Sequence, residues 1–514
     1  MFGGFMAFEK KTFLTARKRL LEKSEFNVEC NISAGVSCGK ILAISAQVCV
    51  QGQEVVDKII TYSGIIDIKA VFTNEEGEII SINSSCPFSS KFESDEISSS
   101  ACAFVKVDVI DYTSEIVGSD SIRVNVVLSQ SGFVVNNNSN YSLYCDDEDV
   151  CYQNEDVEIV KFVDCAKDSF VSESDVNLRE NIKKILLVES NAIVKSVEAG
   201  ANYVAASGDV ISRVLYLTEN DKFESGYIHD TFKQEVELAG STRDSLAEGY
   251  VGICQEGVAC DIVQDEKGGK LVIKVPINLS VFAYEKGVTS VIKDLYSVKA
   301  NVNIAMNSYE MSDMCGIELI EGKIEGSLTL DDEKPRVDKL LFSGGNKVSI
   351  INHYINEGEL FVEGIAQTTV VYLNDDTSSL YSVVLDVPFV ISDKIKCPSD
   401  SMLSLSAVIT DADVVVKKGR ELIYDAKVKV GVNCCRSING AIISDAVFAE
   451  EFDKKDCAME VIFAPKGKDL WDIAKSAHVQ EGLIRLQNPD VTFPVEKDTP
   501  LILFYQRKSD RENN

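Results

Sequence analysis

Residues able to do chemistry are few and scattered in this sequence. The 514 residues include only three histidines, His229, His353 and His478. None has a second His or a Cys at ligand spacing, and metal sites need clustered donors. The run Gly35-Val36-Ser37-Cys38-Gly39-Lys40 is close to a phosphate loop but one spacer residue short, and Ile41 stands where a Ser or Thr would hold the metal. Asp146-Asp147-Glu148-Asp149 lacks the alternating ligands and central glycine of an EF-hand calcium loop. It reads better as a solvated acidic loop. The 15 cysteines are odd in number, irregularly spaced and without a Cys-x-x-Cys. A disulfide between the adjacent Cys434 and Cys435 would be strained. Cys102 and Cys254, in apolar surroundings, read as buried thiols of a reducing cytosol. These residues predict no catalytic site, no metal site and no cofactor, so the chain is not expected to be an enzyme.

Composition narrows the classes further. Hydrophobic residues make up 45% and charged residues 26%, which is the balance of a globular protein. The net charge of −30 would repel nucleic acid and anionic membranes. Residues 458–508 hold seven basic and seven acidic side chains, so nearly all the excess precedes them and the last stretch reads as a separate module. The apolar start, residues 1–8, is short, and its basic residues Lys10, Lys11, Arg17, Lys18 and Arg19 follow it, the reverse of a signal peptide. No run of 18 apolar residues exists to span a membrane.

The elements that would position any site come in three copies. Lys40-Ile41-Leu42, Lys184-Ile185-Leu186 and Lys339-Leu340-Leu341 are followed after 24, 24 and 25 residues by Gly64, Gly208 and Gly364. Eight residues beyond each glycine stands Phe72, Tyr216 or Tyr372, and 24, 24 and 25 residues beyond it stands Phe88, Phe232 or Phe389. Polar turns lie between, including Asn374-Asp375-Asp376-Thr377 in the third copy. Stretches such as Ile122-Arg123-Val124-Asn125-Val126 alternate with period two, the pattern of half-buried antiparallel strands. The expected fold is mainly β, with three antiparallel sandwich- or barrel-like repeat domains at 27–160, 161–320 and 321–457. A short helix is expected at 13–25 within an N-terminal extension, 1–26, and an exposed loop or linker at 136–156. That extension reads as a cap on the first repeat, ahead of a contact with a membrane surface or an acidic partner.

The last module has its own signature. Residues 458–464 alternate like a strand. Asp469 is a fitting N-cap, and Leu470, Trp471, Ile473 and Ala474 share one helical face. A second helix fits 480–487, with Leu483, Ile484 and Leu486 inward, and Asn488-Pro489 stops it. Residues 499–505 read as a closing strand. The order is βααβ, followed by a polar tail at 509–514.

This module resembles a LysM domain, through Gly467-Lys468-Asp469-Leu470-Trp471-Asp472-Ile473-Ala474-Lys475 and then Val479, Leu483, Leu486 and Asn488-Pro489. The three copies are similar to the SPOCS domains of SipL-like sporulation proteins, through Cys86-Pro87-Phe88 and Val387-Pro388-Phe389; copy two departs with Asp230-Thr231-Phe232. Tandem SPOCS domains before a LysM domain is that family's arrangement. The resemblance implies a non-catalytic scaffold of spore coat assembly in the mother-cell cytoplasm, at the forespore surface. Its partners would be the spore coat morphogenetic ATPase, on which the LysM domain docks, and other coat proteins. The candidate partner-contact residues are Lys468, Asp469, Leu470, Trp471, Asn488, Pro489 and Asp490, with the polar loop positions foremost and Trp471 better suited to core packing. The alternative is a peptidoglycan-binding protein that grips N-acetylglucosamine chains through the same domain. Lys468-Asp469 and Glu496-Lys497-Asp498 depart from the family's sugar-groove loops and weigh against it.

Overall fold

The computed structural model describes residues 8–178, 180–265, 268–374, 379–452 and 458–505. Most of the apolar start, the third-copy turn residues Asp375, Asp376 and Thr377, positions 506–508 and the 509–514 tail lie outside the described residues. Among the described residues the chain is mainly β, in several antiparallel sheets, with two short α-helices and one 3-10 turn. The period-two reading holds in detail: Ile122, Val124, Val126 and Leu128 are fully buried on one face of their strand.

One pairing pattern occurs three times. In the first, β1 (Phe8–Leu20) and β2 (Ser24–Ser33) run end to end along one edge of β7 (Ser121–Cys145), and β6 (Cys102–Val117) lies on its other edge. Against this sheet packs a second, of β3 (Cys38–Val56), β4 (Ile59–Asn74) and β5 (Ile79–Glu93). In the next, β8 (Val150–Asn177), β12 (Leu246–Ile253) and β13 (Ala259–Asp265) flank β14 (Gly268–Ser297). Its companion sheet is β9 (Ile182–Gly200), β10 (Tyr203–Thr218) and β11 (Phe223–Glu237). In the last, β15 (Ala300–Thr329) and β19 (Met402–Lys417) flank β20 (Glu421–Glu451), beside β16 (Lys339–Asn356), β17 (Glu359–Asn374) and β18 (Ser379–Lys394).

Three expectations are corrected. Residues 13–25 form no helix. Residues 13–20 lie in β1 and 24–25 in β2, because pairing with β7 and burial of Phe13, Thr15, Ala16 and Lys18 outweigh local helical preference. The stretch 136–156 is strand except for 146–149. Its asparagines serve neighbouring elements: Asn137 exchanges two hydrogen bonds with the Phe162 backbone, and Asn140 donates to Thr15 Oγ1. The expected limits at 160/161 and 320/321 fall inside β8 and β15, whose polar first halves hid the strands.

The repeated Gly–Phe spacing has a steric cause. Gly64, Gly208 and Gly364 sit directly across the hairpin from Phe88, Phe232 and Phe389. Each phenyl ring lies over its glycine. A Cβ would stand 2.8, 2.5 and 2.6 Å from the ring, and 2.2, 2.1 and 2.5 Å from the carbonyl oxygens of Cys49, Ile193 and Ser349. Opposite each glycine one residue bulges out of the neighbouring strand: Gln51, Lys195 or Ile351.

The three units close around a common axis. One apolar cluster takes equivalent residues from each: Leu42, Leu186 and Leu341; Ala43, Leu187 and Phe342; Val71, Leu215 and Val371; Ile79, Phe223 and Leu380. Lys69 of the first unit donates to the Val188 carbonyl of the second, and Arg213, its equivalent, donates to the Ser343 carbonyl of the third. The third unit has Thr369 at this position, and the equivalent carbonyl, Ile44 O, instead accepts from the Tyr112 hydroxyl of its own unit at 2.9 Å. Copy three also carries one extra residue at Gly345-Asn346, where Gly345 has φ +66° and lies against Ile44 O. A second cluster joins all three units: Phe133 and Ala16 from the first, Tyr250, Phe282 and Tyr284 from the second, Met314 and Cys435 from the third.

Candidate functional site

The sequence singled out the end of the chain. There β21 (Met459–Ala464), α1 (Leu470–Ala477), α2 (Glu481–Gln487) and β22 (Thr499–Phe504) follow in order, with β21 and β22 antiparallel. Asp469 caps α1 by accepting the Asp472 backbone N–H at 2.8 Å, and Leu470, Trp471, Ile473 and Ala474 are all buried. Asn488 acts as a clamp. Its Oδ1 accepts from Ile502 N, and its Nδ2 donates to Ile484 O and Ile502 O. Leu486 is not inward as expected but 79% exposed. Gln487 binds both backbone groups of Phe504 and so turns the opposite side of this seven-residue helix toward β22.

The inner side of this module is fastened to the end of β14. Trp471 packs edge-on against Tyr296 at 4.9 Å, and its indole N–H donates to Asp294 at 2.9 Å. Lys475 donates to the other Asp294 oxygen at 2.5 Å, the Tyr296 hydroxyl to Val479 O at 2.8 Å, and Gln480 to Glu148 O at 3.1 Å. Burial works against the Asp294 carboxylate, but the hydrogen bonds from Lys475 and Trp471 prevail and hold its pKa below the ordinary value. Of the seven candidate contact residues, then, Leu470 and Trp471 are core, and Asp469 and Asn488 hold the module together. Lys468 is exposed and pairs with Asp472, while Pro489 and Asp490 are exposed.

The opposite face was missed. Met459, Val461 and Phe463 of β21 stand across from Phe504, Ile502 and Pro500 of β22, and their side chains point outward. Phe463 is 73% exposed, and Met459, Val461, Ile502 and Phe504 are all exposed large hydrophobics. The apolar alternation was legible, but both sides of the strand pair are apolar, so the pattern alone did not reveal an uncovered side.

Other candidates resolve into structure. Lys40 donates to Leu380 O and lies over the Tyr381 ring, so the glycine-rich run serves a contact between units. Within the acidic loop Asp147 caps the Asp149 N–H, and Asp149 pairs with Lys299. Four of the five basic residues of β1 pair with acids: Lys18 lies buried against Glu248 at 2.7 Å with its ammonium 4.1 Å from the Phe133 ring, Lys10 binds Asp445, Arg17 binds Glu96, and Arg19 binds Glu310. Cys254 is not a free thiol but disulfide-bonded to Cys49, joining the first two units; Cys434 and Cys435 are free and buried. Cys102, Asp164 and Cys165 lie within 4.8 Å of one another where β6 meets β8. Their separation in sequence hid them, and they offer three donors against the four of a structural zinc site.

No family model, curated protein or solved structure matches this chain. Among the described residues no helix is long and apolar enough to cross a membrane.

Proposed function

We propose that the protein is a scaffold of spore coat assembly, built of three SPOCS-like units and a C-terminal LysM-like domain that docks on the coat morphogenetic ATPase. The observation that carries this reading is the uncovered apolar face of β21 and β22. Such a contiguous patch on a folded protein marks an interaction surface. It lies on the side away from Asp294 and Tyr296, so it can be engaged while the inner side stays fastened to the body. Phe463 would be the anchor, being aromatic, large and at the end of the outward row. Lys468, Pro489 and Asp490 would contribute polar rim contacts. The acidic body would keep the assembly soluble and present its outer strands to other coat components.

A pull-down with the ATPase tests this reading. Full-length chain is expected to retain it, and deletion of 458–514 or the exposed substitution Phe463→Asp to lose it. Retention by the deleted chain would remove the docking assignment. Sedimentation of full-length chain with purified peptidoglycan, if it occurred instead, would favour the glycan reading.

A further inference from the structure

Between the two apolar clusters on the common axis lies a cavity of about 510 Å³, walled by strands of all three units. That size suits a small organic ligand. Its walls are unusually polar for a place enclosed by three sheets, and several buried polar atoms there have no hydrogen-bond partner among the described residues. Arg213, 4% exposed, spends one nitrogen on Ser343 and leaves Nε and the other terminal nitrogen without a hydrogen bond; it forms only a long ion pair with Glu189 at 3.7 Å, whose Oε2 is itself buried without a hydrogen-bond partner among the described residues. Gln47 and Asn346 donate to Ser190 O and to the Tyr227 hydroxyl, which leaves their oxygens as unused acceptors. Lys167 and Lys347 also line the cavity, and burial lowers the pKa of both.

We propose that this axial cavity binds a small hydroxylated carboxylate. An anionic group would satisfy the free Arg213 nitrogens and the desolvated lysines, whose charge the walls do not fully offset. A hydroxyl on the same ligand would donate to the idle oxygens of Gln47 or Asn346. An uncharged ligand would leave the Arg213 nitrogens without a strong acceptor, and a cation would meet a lining in which four basic side chains, Lys106, Lys167, Arg213 and Lys347, outnumber three acids, Asp108, Asp168 and Glu189. Copy three differs at this site, because the Gly345-Asn346 bulge adds one residue to the lining and Lys347 stands where the other two units have Gln47 and Asn191. The binding class rests on the cavity alone and not on the docking of the C-terminal module.

Titration calorimetry of the full chain with citrate, L-malate and the trimethyl ester of citrate tests the proposal. Expected is one saturable site per chain for at least one free acid and none for the ester. Arg213→Lys and Lys167→Ala should each weaken binding about tenfold, as for loss of one charge-assisted hydrogen bond. Lys161→Ala, on the outside and paired with Glu285, should leave it unchanged. Circular dichroism shows whether Arg213→Lys still folds; Lys167→Ala, which removes no salt bridge among the described residues, stands as the independent variant. Absence of saturable binding tighter than about 1 mM for either acid, equal binding of the ester, or affinity untouched by both substitutions would overturn it.

Discussion

Replacing Asp294 with Ala removes the acceptor that holds both Trp471 and Lys475 against the end of β14. The indole hydrogen bond to a charged acceptor is worth about 1.5–3 kcal/mol. The Lys475 pair is partly exposed and adds less than about 1 kcal/mol. Loss of about 2–3 kcal/mol raises the detached fraction of the C-terminal module by roughly 30- to 150-fold. Trp471 is the only tryptophan, so its emission reports this contact without interference. The variant should emit at longer wavelength, with faster hydrogen exchange in α1 and little change in the cores of the three units. The pH dependence has a definite sign. The folded Asp294 pKa lies below its unshifted value of 3.8, so its contribution is fully present above that value and is lost as pH falls through the lower folded one. Wild-type emission should therefore shift to the red in that acid window, a step the variant lacks. Unchanged emission and exchange in Asp294→Ala would refute this attachment.

Other substitutions probe the body. Gly208→Ala puts a methyl group 2.1 Å from Ile193 O and 2.5 Å from the Phe232 ring, and urea denaturation should show a loss of about 1–3 kcal/mol or more. Lys18→Ala strands the buried Glu248 and should cost about 3–5 kcal/mol, while the double change Lys18→Met with Glu248→Leu should recover most of it; simple additivity in the same denaturation assay would contradict the pairing. Cys49→Ser should cost about 2–4 kcal/mol in oxidising buffer and nothing in reductant, with peptide mapping showing the Cys49–Cys254 link in the parent alone.

The triplicated sheet was legible because its signals are local. Glycine, aromatic and turn recur at spacings that one hairpin imposes, and the structure shows why: each phenyl ring fills the space over a glycine that no other residue could occupy. The cap at Asp469 and the buried face of α1 were legible for the same reason. What was lost is non-local. β1 looks helical until β7 is beside it, and the asparagines of β7 look like loop residues until Phe162 and Thr15 supply their partners. The Cys49–Cys254 pairing and the thiols of Cys102 and Cys165 depend on contacts between units. The cavity is further from reach still, since Arg213 and Asn346 become neighbours only when three sheets close around one axis.

The most direct measurement is a calorimetric titration of the full chain with the coat morphogenetic ATPase, run beside one with N-acetylglucosamine oligomers. Saturable binding to the ATPase, abolished by Phe463→Asp while thermal stability stays unchanged, is the expected result. Binding to the sugar alone, or ATPase binding indifferent to Phe463→Asp, would contradict the assignment of the β21–β22 face as the docking surface.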